Sequence, residues 1–261
     1  MRSLSTAATG MLAQQLNVEV ISNNIANMNT SAYKRQRAEF QDLLYDNLRR
    51  SGSQSSDAGT VVPSGVQVGI GVKTAAVYRI AEQGSLLSTD NNFDLAIQGA
   101  GYFKVELPSG EDAFTRAGSF QLSAEGQMVT ADGYVVQPGI TIPADAVDVT
   151  INSNGEVQVK LDGEIEPQIV GQLDLAIFFN EAGLEALGDN LLMETPASGE
   201  ATLGVPGDPG YGTVLQGFLE ASNVNAVQEI TALITAQRAY EMNSRVITTS
   251  DEMMQATTTL R

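Results

Sequence analysis

From Leu4 to Met28 one set of side chains recurs at alternating steps of three and four residues: Leu4, Ala7, Met11, Gln14, Val18, Ile21, Ile25 and Met28, with Gln14 the single polar member. That register holds for more than three heptads and is the pattern of a helix that buries a long stripe against another helix. A helix over residues 3–29 would run roughly 40 Å at ~1.5 Å per residue, longer than a small globular core can cover. The stripe therefore demands a long partner. Leu12 and Leu16 widen it beyond a two-helix seam, so more than one neighbour is expected to touch it.

The other end of the chain offers that partner. Ala226, Ile230, Leu233, Gln237, Tyr240, Ser244, Ile247, Asp251 and Met254 keep the same alternation, as a weaker seam because three members are polar. Asn225 followed by Gln228 has the spacing of an N-cap and capping box, which satisfies orphan amides at a helix start. The two terminal helices are expected to pair.

Between them lie short runs rich in Val, Ile, Thr, Phe and Tyr: FDLAIQG (93–99), YFKVEL (102–107), AFTRAG (113–118), MVTADGYVVQ (128–137), VDVTIN (147–152), EVQVKL (156–161) and VGQLDLAIFF (170–179). These read as strands, with Asn154-Gly155 predicted to form a two-residue type I′ hairpin turn and Asp132-Gly133 and Asp162-Gly163 repeating the device. SGSQSSDAGT (51–60) and SGEATLGVPGDPGYG (198–212) are predicted to be flexible connections. The fold class expected is α+β: long N- and C-terminal helices pairing as a coiled-coil-like domain, an inserted all-β domain, and extended connecting segments. The expected boundaries are 1–35 and 222–261 for the two halves of the helical core, 36–89 for an extended connection, 90–195 for an outer β-domain and 196–221 for the return.

Composition removes most catalytic chemistry. With no cysteine and no histidine the chain has no thiol nucleophile, no histidine triad and no ordinary zinc site. A net charge of −17 argues against nucleic acid. That charge is uneven: residues 51–212 carry five basic against twenty-two acidic side chains, while the ends are near neutral. Ends of that kind suit close packing against copies of the same chain. The acidic middle could supply the two carboxylates of a glycoside hydrolase, but no spacing selects a pair. The Asn152–Glu156 loop lacks the EF-hand pattern, and Gly65, Gly69 and Gly71 lack the G-K-[ST] of a phosphate loop. The polar face of the first helix is Ser, Thr, Gln and Asn, which favours a helix partner over a membrane surface. No cofactor, no metal, no nucleic acid and no membrane insertion is expected. The N-terminus has no apolar run of signal-peptide length.

The stretch ISNNIANMNTSAYKR (21–35) runs the apolar stripe into Asn23, Asn24, Asn27 and Asn29. These amides either terminate the helix or bridge to neighbouring subunits and fix their register. The segment resembles the N-terminal signature of flagellar rod and hook axial proteins, approximately N-N-I-A-N-x-N-T-x-G-Y-K. Asn23, Asn24, Ile25, Ala26, Asn27, Asn29, Thr30, Tyr33 and Lys34 match it, and Ala32 stands where glycine is usual. The C-terminal SNVNAVQEITALITAQRAYEMNSRVITTSDEMM (222–254), with Gln237 and Arg238 in place, is similar to the C-terminal helix of that family. FDLAIQGAGYFKV and AFTRAGSFQLSAEGQMVTADGYVVQ are similar to its β-domain.

Within the family, length and the segment 45–72 look most like the distal-rod members. That likeness implies a structural, non-enzymatic subunit of the bacterial flagellar basal body that self-assembles into a rigid helical tube and carries torque from motor to hook during motility. Implied partners are copies of itself, proximal-rod subunits, hook or junction proteins, the surrounding L/P ring, the export apparatus and a rod cap. Implied too is type III export without a cleaved signal, to a rod that spans the periplasm. The residues expected to pack between subunits are Leu4, Met11, Val18, Ile21, Ile25, Met28, Ile230, Leu233, Tyr240, Ile247 and Met254. The rival readings are another axial member, a peptidoglycan-acting hydrolase and a cell-surface binding module.

Overall fold

A computed structural model of the chain describes residues 2–50, 64–163 and 166–259. The expected flexible stretch 51–60 and Glu164 of the acidic middle lie outside the described residues. The protein is α+β, with a helix at each end and a β-rich middle, and it divides into two compact units. The first unit holds residues 1–26, 36–78 and 225–261; the second holds 27–35 and 79–224.

In the first unit, α1 (Arg2–Ala26) lies against α2 (Ala226–Thr259). Asn225 starts α2 as expected: its Oδ1 accepts from the backbone N–H of Val227 at 3.1 Å and of Gln228 at 3.2 Å. The face of α1 that is covered carries Ala7, Ala13, Val20, Ile21 and Asn24, and α2 answers with Glu229, Ala236 and Ser250. The helices approach closely at Gly10, where an added Cβ would sit 2.8 Å from Asn243 Nδ2. At the far end the Ser250 hydroxyl donates to Ser3 Oγ at 3.2 Å.

The contact is shifted from the expected α2 seam. Leu233, Ile247 and Met254 are half-buried as that seam requires, but Ala236 and Ser250 are covered where Gln237 and Asp251 were expected, and Ile230 is exposed while Glu229 is buried. Ala236 and Ser250 are small and let two helices approach, while Glu229 is buried where its carboxylate accepts from Asn24 Nδ2.

Residues 36–79 form two β-ribbons where an extended connection was expected. Strand β1 (Gln36–Asp42) pairs with β4 (Val72–Arg79), and β2 (Tyr45–Arg49) pairs with β3 (Val66–Gly69). Thr6 Oγ1 of α1 donates to Ile70 O at 3.2 Å, and the Val72 N–H donates to Thr9 Oγ1 at 3.3 Å, so the ribbons are tied to the first helix.

The second unit opens with β5 (Leu86–Ser88) and β6 (Leu95–Gln98) and closes with β19 (Thr213–Gln216) and β20 (Phe218–Glu220). Entry and exit pair with one another: β6 with β19, β5 with β20. Between them run β7 (Tyr102–Glu106), β8 (Asp112–Thr115), β9 (Gln121–Leu122), β10 (Met128–Val129), β11 (Val135–Val136), β12 (Ala146–Ile151), β13 (Glu156–Leu161), β14 (Gln168–Gln172), β15 (Leu175–Ile177), β16 (Glu185–Gly188), β17 (Leu191–Met193) and β18 (Thr202–Gly204). The main sheet has the order β16-β17-β8-β7-β11-β10-β9, with β15 on β7 and β18 on β15; β12-β13-β14 make a smaller one. Leu95, Ile97, Phe103, Val105, Phe120, Met128, Val157, Val159 and Leu175 fill the core between them.

Every expected strand run contains a strand, with two differences. VGQLDLAIFF divides at Leu173, which is buried and donates its N–H to Gly155 O at 2.8 Å, so the chain leaves the small sheet as β14 and enters the main sheet as β15. Residues 198–212 are ordered: β18 pairs with β15, and the Gly212 N–H donates to Ala100 O at 2.7 Å.

The Asn154-Gly155 turn is also of another type. Only Gly155 has positive φ, at +80°, and the N–H of Asn152 donates to Glu156 O, so the loop has three residues rather than two. The same loop, a type I turn followed by a left-handed glycine, closes β7–β8 at Gly110, β9–β10 at Gly126 and β10–β11 at Gly133. Residues 123–133 and 153–163 thus use the same turn design.

Candidate functional site: clasps at the chain crossings and an outward helix stripe

The asparagine motif separates into distinct roles. Asn24 is 1% exposed and works inside the chain. Its Nδ2 donates to Gln36 O at 2.8 Å and to Glu229 Oε2 at 3.1 Å, and its Oδ1 accepts from the Gln36 N–H at 2.8 Å. One amide thus joins α1, the start of β1 and the first turn of α2 in the first unit. Asn27 belongs to the turn that follows α1: its Oδ1 accepts from Thr30 Oγ1 at 3.1 Å and its carbonyl accepts from the Thr30 N–H at 3.2 Å. That turn ends the helix at Ala26, three residues before the expected position. Ala32 then adopts φ +58°, the left-handed conformation that explains a glycine preference there. Asn23 and Asn29 are exposed.

The second unit is closed by buried charge. Glu220 accepts from Lys34 Nζ at 2.6 Å and from the Gly84 N–H at 2.8 Å on Oε1, and from Arg116 Nε at 2.5 Å on Oε2. All three side chains are less than a tenth exposed. Arg116 also donates to the carbonyls of Gly101 at 3.0 Å and Gly99 at 2.6 Å, and Lys34 to Glu82 O at 2.9 Å. Burial pushes the Lys34 ammonium below the ordinary lysine range, a shift its hydrogen bond to Glu220 opposes. Burial alone would raise the Glu220 carboxyl, but the Arg116 and Lys34 charges outweigh it and hold the group below its ordinary value. Beside this triad, Asn223 accepts from the Arg35 N–H at 2.7 Å and donates to Ile80 O at 3.0 Å and Glu82 O at 2.9 Å. The Tyr33 carbonyl takes the Asn223 N–H at 3.4 Å. Three chain segments, 32–35, 79–84 and 220–223, are thereby stitched into one joint.

The surface feature is on α2. Val227, Ile230, Ile234, Met242, Val246 and Met253 are 45–74% exposed and follow one another at helical spacing, a second apolar stripe offset from the residues that face α1. Beside it an open groove of about 600 Å³ is lined by Gln14, Asn17, Val227, Thr231, Ala232 and Ala239. Stripe and groove offer knobs and a recess on one unit. Among the described residues no helix is long and apolar enough to cross a membrane.

Of the expected packing residues, Ile21 is buried; Leu4, Met11, Val18, Ile25, Leu233, Ile247 and Met254 are half-buried; Met28, Ile230 and Tyr240 are exposed. Tyr33 is half-buried in the joint, and Gln237 and Arg238 are exposed. Sequence reasoning missed Arg116, Glu220 and the outward stripe. The stripe had a signal, a second three-and-four spacing running from Val227; Glu220 had none, because a lone carboxylate beside an apolar run looks like any strand end.

Helical ends joined at a polar crossing flank a β-rich middle closed on itself. Three family descriptions match: "Flagella basal body rod protein" over residues 4–34, "Flagellar hook protein FlgE/F/G D1 domain" over 96–159 and "Flagellar basal body rod FlgEFG protein C-terminal" over 215–260. The chain is 67% identical to the flagellar basal-body rod protein FlgG of Caulobacter vibrioides over the full length of both. It is 55% identical to that of Agrobacterium fabrum over 97% of each chain, and 39% identical to that of Bacillus subtilis over 100% of this chain and 99% of the relative. The chain belongs to the FlgG family of flagellar basal-body rod proteins.

Proposed function

We propose that the chain is a structural subunit of the distal flagellar rod, a drive shaft built as a helical tube of identical subunits that carries torque from motor to hook. The observation that supports this most directly is the outward stripe of α2. Six exposed apolar side chains at helical spacing remain after α1 has been packed, and burying each would contribute roughly 1.5–3 kcal/mol. A second copy is the natural cover, because a head-to-tail contact that does not close on itself generates a tube. In this reading the residues at the helix ends and along the stripe pack between subunits, while Asn24 and Glu220 hold each subunit in the shape that presents them. The rod lies across the periplasm, and its neighbours are proximal-rod subunits below, hook or junction proteins above and the ring around it.

The test is assembly of purified protein. Concentrated wild type is expected to form rods or tubes by negative-stain electron microscopy, and Ile234→Asp, which places a charge mid-stripe, is expected to stay monomeric with an unchanged melting curve. Tubes formed equally well by Ile234→Asp would count against the stripe; absence of tubes from the wild type at every concentration would count against the tube.

A further inference from the structure

Two members of the outward stripe, Met242 and Met253, are thioethers, 62% and 59% exposed. The chain has no cysteine, histidine or tryptophan, so two-electron oxidants find few other soft targets. The remaining described methionines are less accessible: Met28 is 40% exposed, Met11, Met193 and Met254 are half-buried, and Met128 is 1% exposed in the β core. Val227, Ile230, Ile234 and Val246, the other members of the stripe, are inert to peroxide.

We propose that Met242 and Met253 are oxidation sites through which a peroxide switches assembly off. The inference rests on the assembly reading above, and it adds a chemistry to it. The sulfur lone pair attacks one peroxide oxygen; an S–O bond forms as the O–O bond breaks, the attacked oxygen gives up its proton, and the departing hydroxide takes up a proton and leaves as water. The sulfur is oxidised by two electrons and the peroxide is reduced by two. A flexible apolar side chain becomes a polar one with a strong acceptor, on a surface that assembly would take out of water. Sulfoxide reductases restore the thioether, so the change is reversible. Once a tube has formed the same sulfurs are covered, and the switch acts on free subunits and spares the finished rod.

The experiment treats full-length monomer with hydrogen peroxide, maps sulfoxides by peptide mass spectrometry and measures the critical concentration for tube formation. Met242 and Met253 are expected to react first and Met128 last. The critical concentration is expected to rise roughly tenfold or more, with the melting curve unchanged. The double variant Met242→Leu, Met253→Leu is expected to assemble like the wild type and to continue doing so after the same treatment. Oxidised wild type assembling at the untreated concentration, or a double-leucine variant losing as much as the wild type, overturns the proposal and leaves the assembly reading standing. Untreated protein that never assembles removes the assembly reading and this proposal together.

Discussion

Glu220 and Lys34 lie 186 residues apart in sequence and 2.6 Å apart in space, in a site that water barely reaches. With Arg116 on the other carboxylate oxygen, one anion serves two buried cations. Removing it leaves both without their shared counter-charge, and breaking a buried pair from one side costs about 3–5 kcal/mol. Glu220→Gln is expected to lower the urea-unfolding free energy of the β-rich unit by that amount, read by tyrosine fluorescence. A loss under about 1 kcal/mol would mean that solvent reaches the triad.

The same carboxylate sets an acid dependence. Its folded value lies below the ordinary 4.5, so in acid the unfolded chain takes up the proton first. The stabilisation is complete above the ordinary value and is lost as pH falls through the folded one. The gap in unfolding free energy between wild type and Glu220→Gln is therefore expected to be widest near neutrality and to shrink steadily below about pH 4.5. Taking the difference removes the carboxylates the two proteins share.

Asn24 was legible as important and illegible as to why. Its motif was expected to end the helix or to bridge neighbouring subunits, whereas the Asn24 amide binds within its own chain, and nothing local says that its partners are Gln36, 12 residues on, and Glu229, 205 residues on. Asn24→Ala strips a buried joint of an acceptor and a donor and is expected to cost about 1–3 kcal/mol, measured on the helical circular-dichroism signal. Asn29→Ala, on an exposed turn, is expected to fall within about 0.5 kcal/mol of wild type.

What could be read from the sequence follows the range of the interaction. Periodicity is local, so both helices and the strands β6–β8 and β10–β15 were legible, and Asn225 announced the start of α2; β1–β5, β9 and β16–β20 lie outside the strand runs expected. Pairing between β5 and β20 or β6 and β19 is set by residues more than a hundred positions apart, as is the choice of Glu220 to neutralise Lys34 and Arg116, and no short window contains that information. Helix register falls between these cases. Leu233, Ile247 and Met254 are half-buried, yet Ala236 and Ser250 are covered in place of Gln237 and Asp251, and Gly10 lies against Asn243 where the helices come close.

Ala32 holds φ +58° with its N–H donated to Glu220 O at 2.8 Å, so the conformation is enforced by the joint rather than chosen by the residue. A left-handed alanine costs roughly 1–2 kcal/mol, and glycine removes that cost while losing more freedom on folding. Ala32→Gly is expected to be at least as stable as wild type in thermal unfolding. Ala32→Val, branched at Cβ and more strained in that region, is expected to lose about 2 kcal/mol or more. A valine variant as stable as the wild type would show that the turn can move.

Gly133 and Gly155 occupy the same position in the same three-residue loop, at φ +88° and +80°, so alanine at either pays the same backbone strain. Their surroundings differ. An added Cβ at Gly133 meets nothing within 4 Å, whereas at Gly155 it would lie 2.8 Å from Leu173 O and 2.9 Å from Pro206 Cγ. The Leu173 carbonyl sits where the chain passes from β14 to β15, and the Gly155 carbonyl already accepts the Leu173 N–H, so neither can retreat without loosening the crossover between the two sheets. Gly133→Ala is expected to cost about 1–2 kcal/mol, the strain alone, and Gly155→Ala to exceed it by about 1–3 kcal/mol, the range for overpacking a filled site. Urea midpoints of the two variants, compared with each other rather than with wild type, cancel the shared strain and leave the crowding at the crossover as the quantity measured.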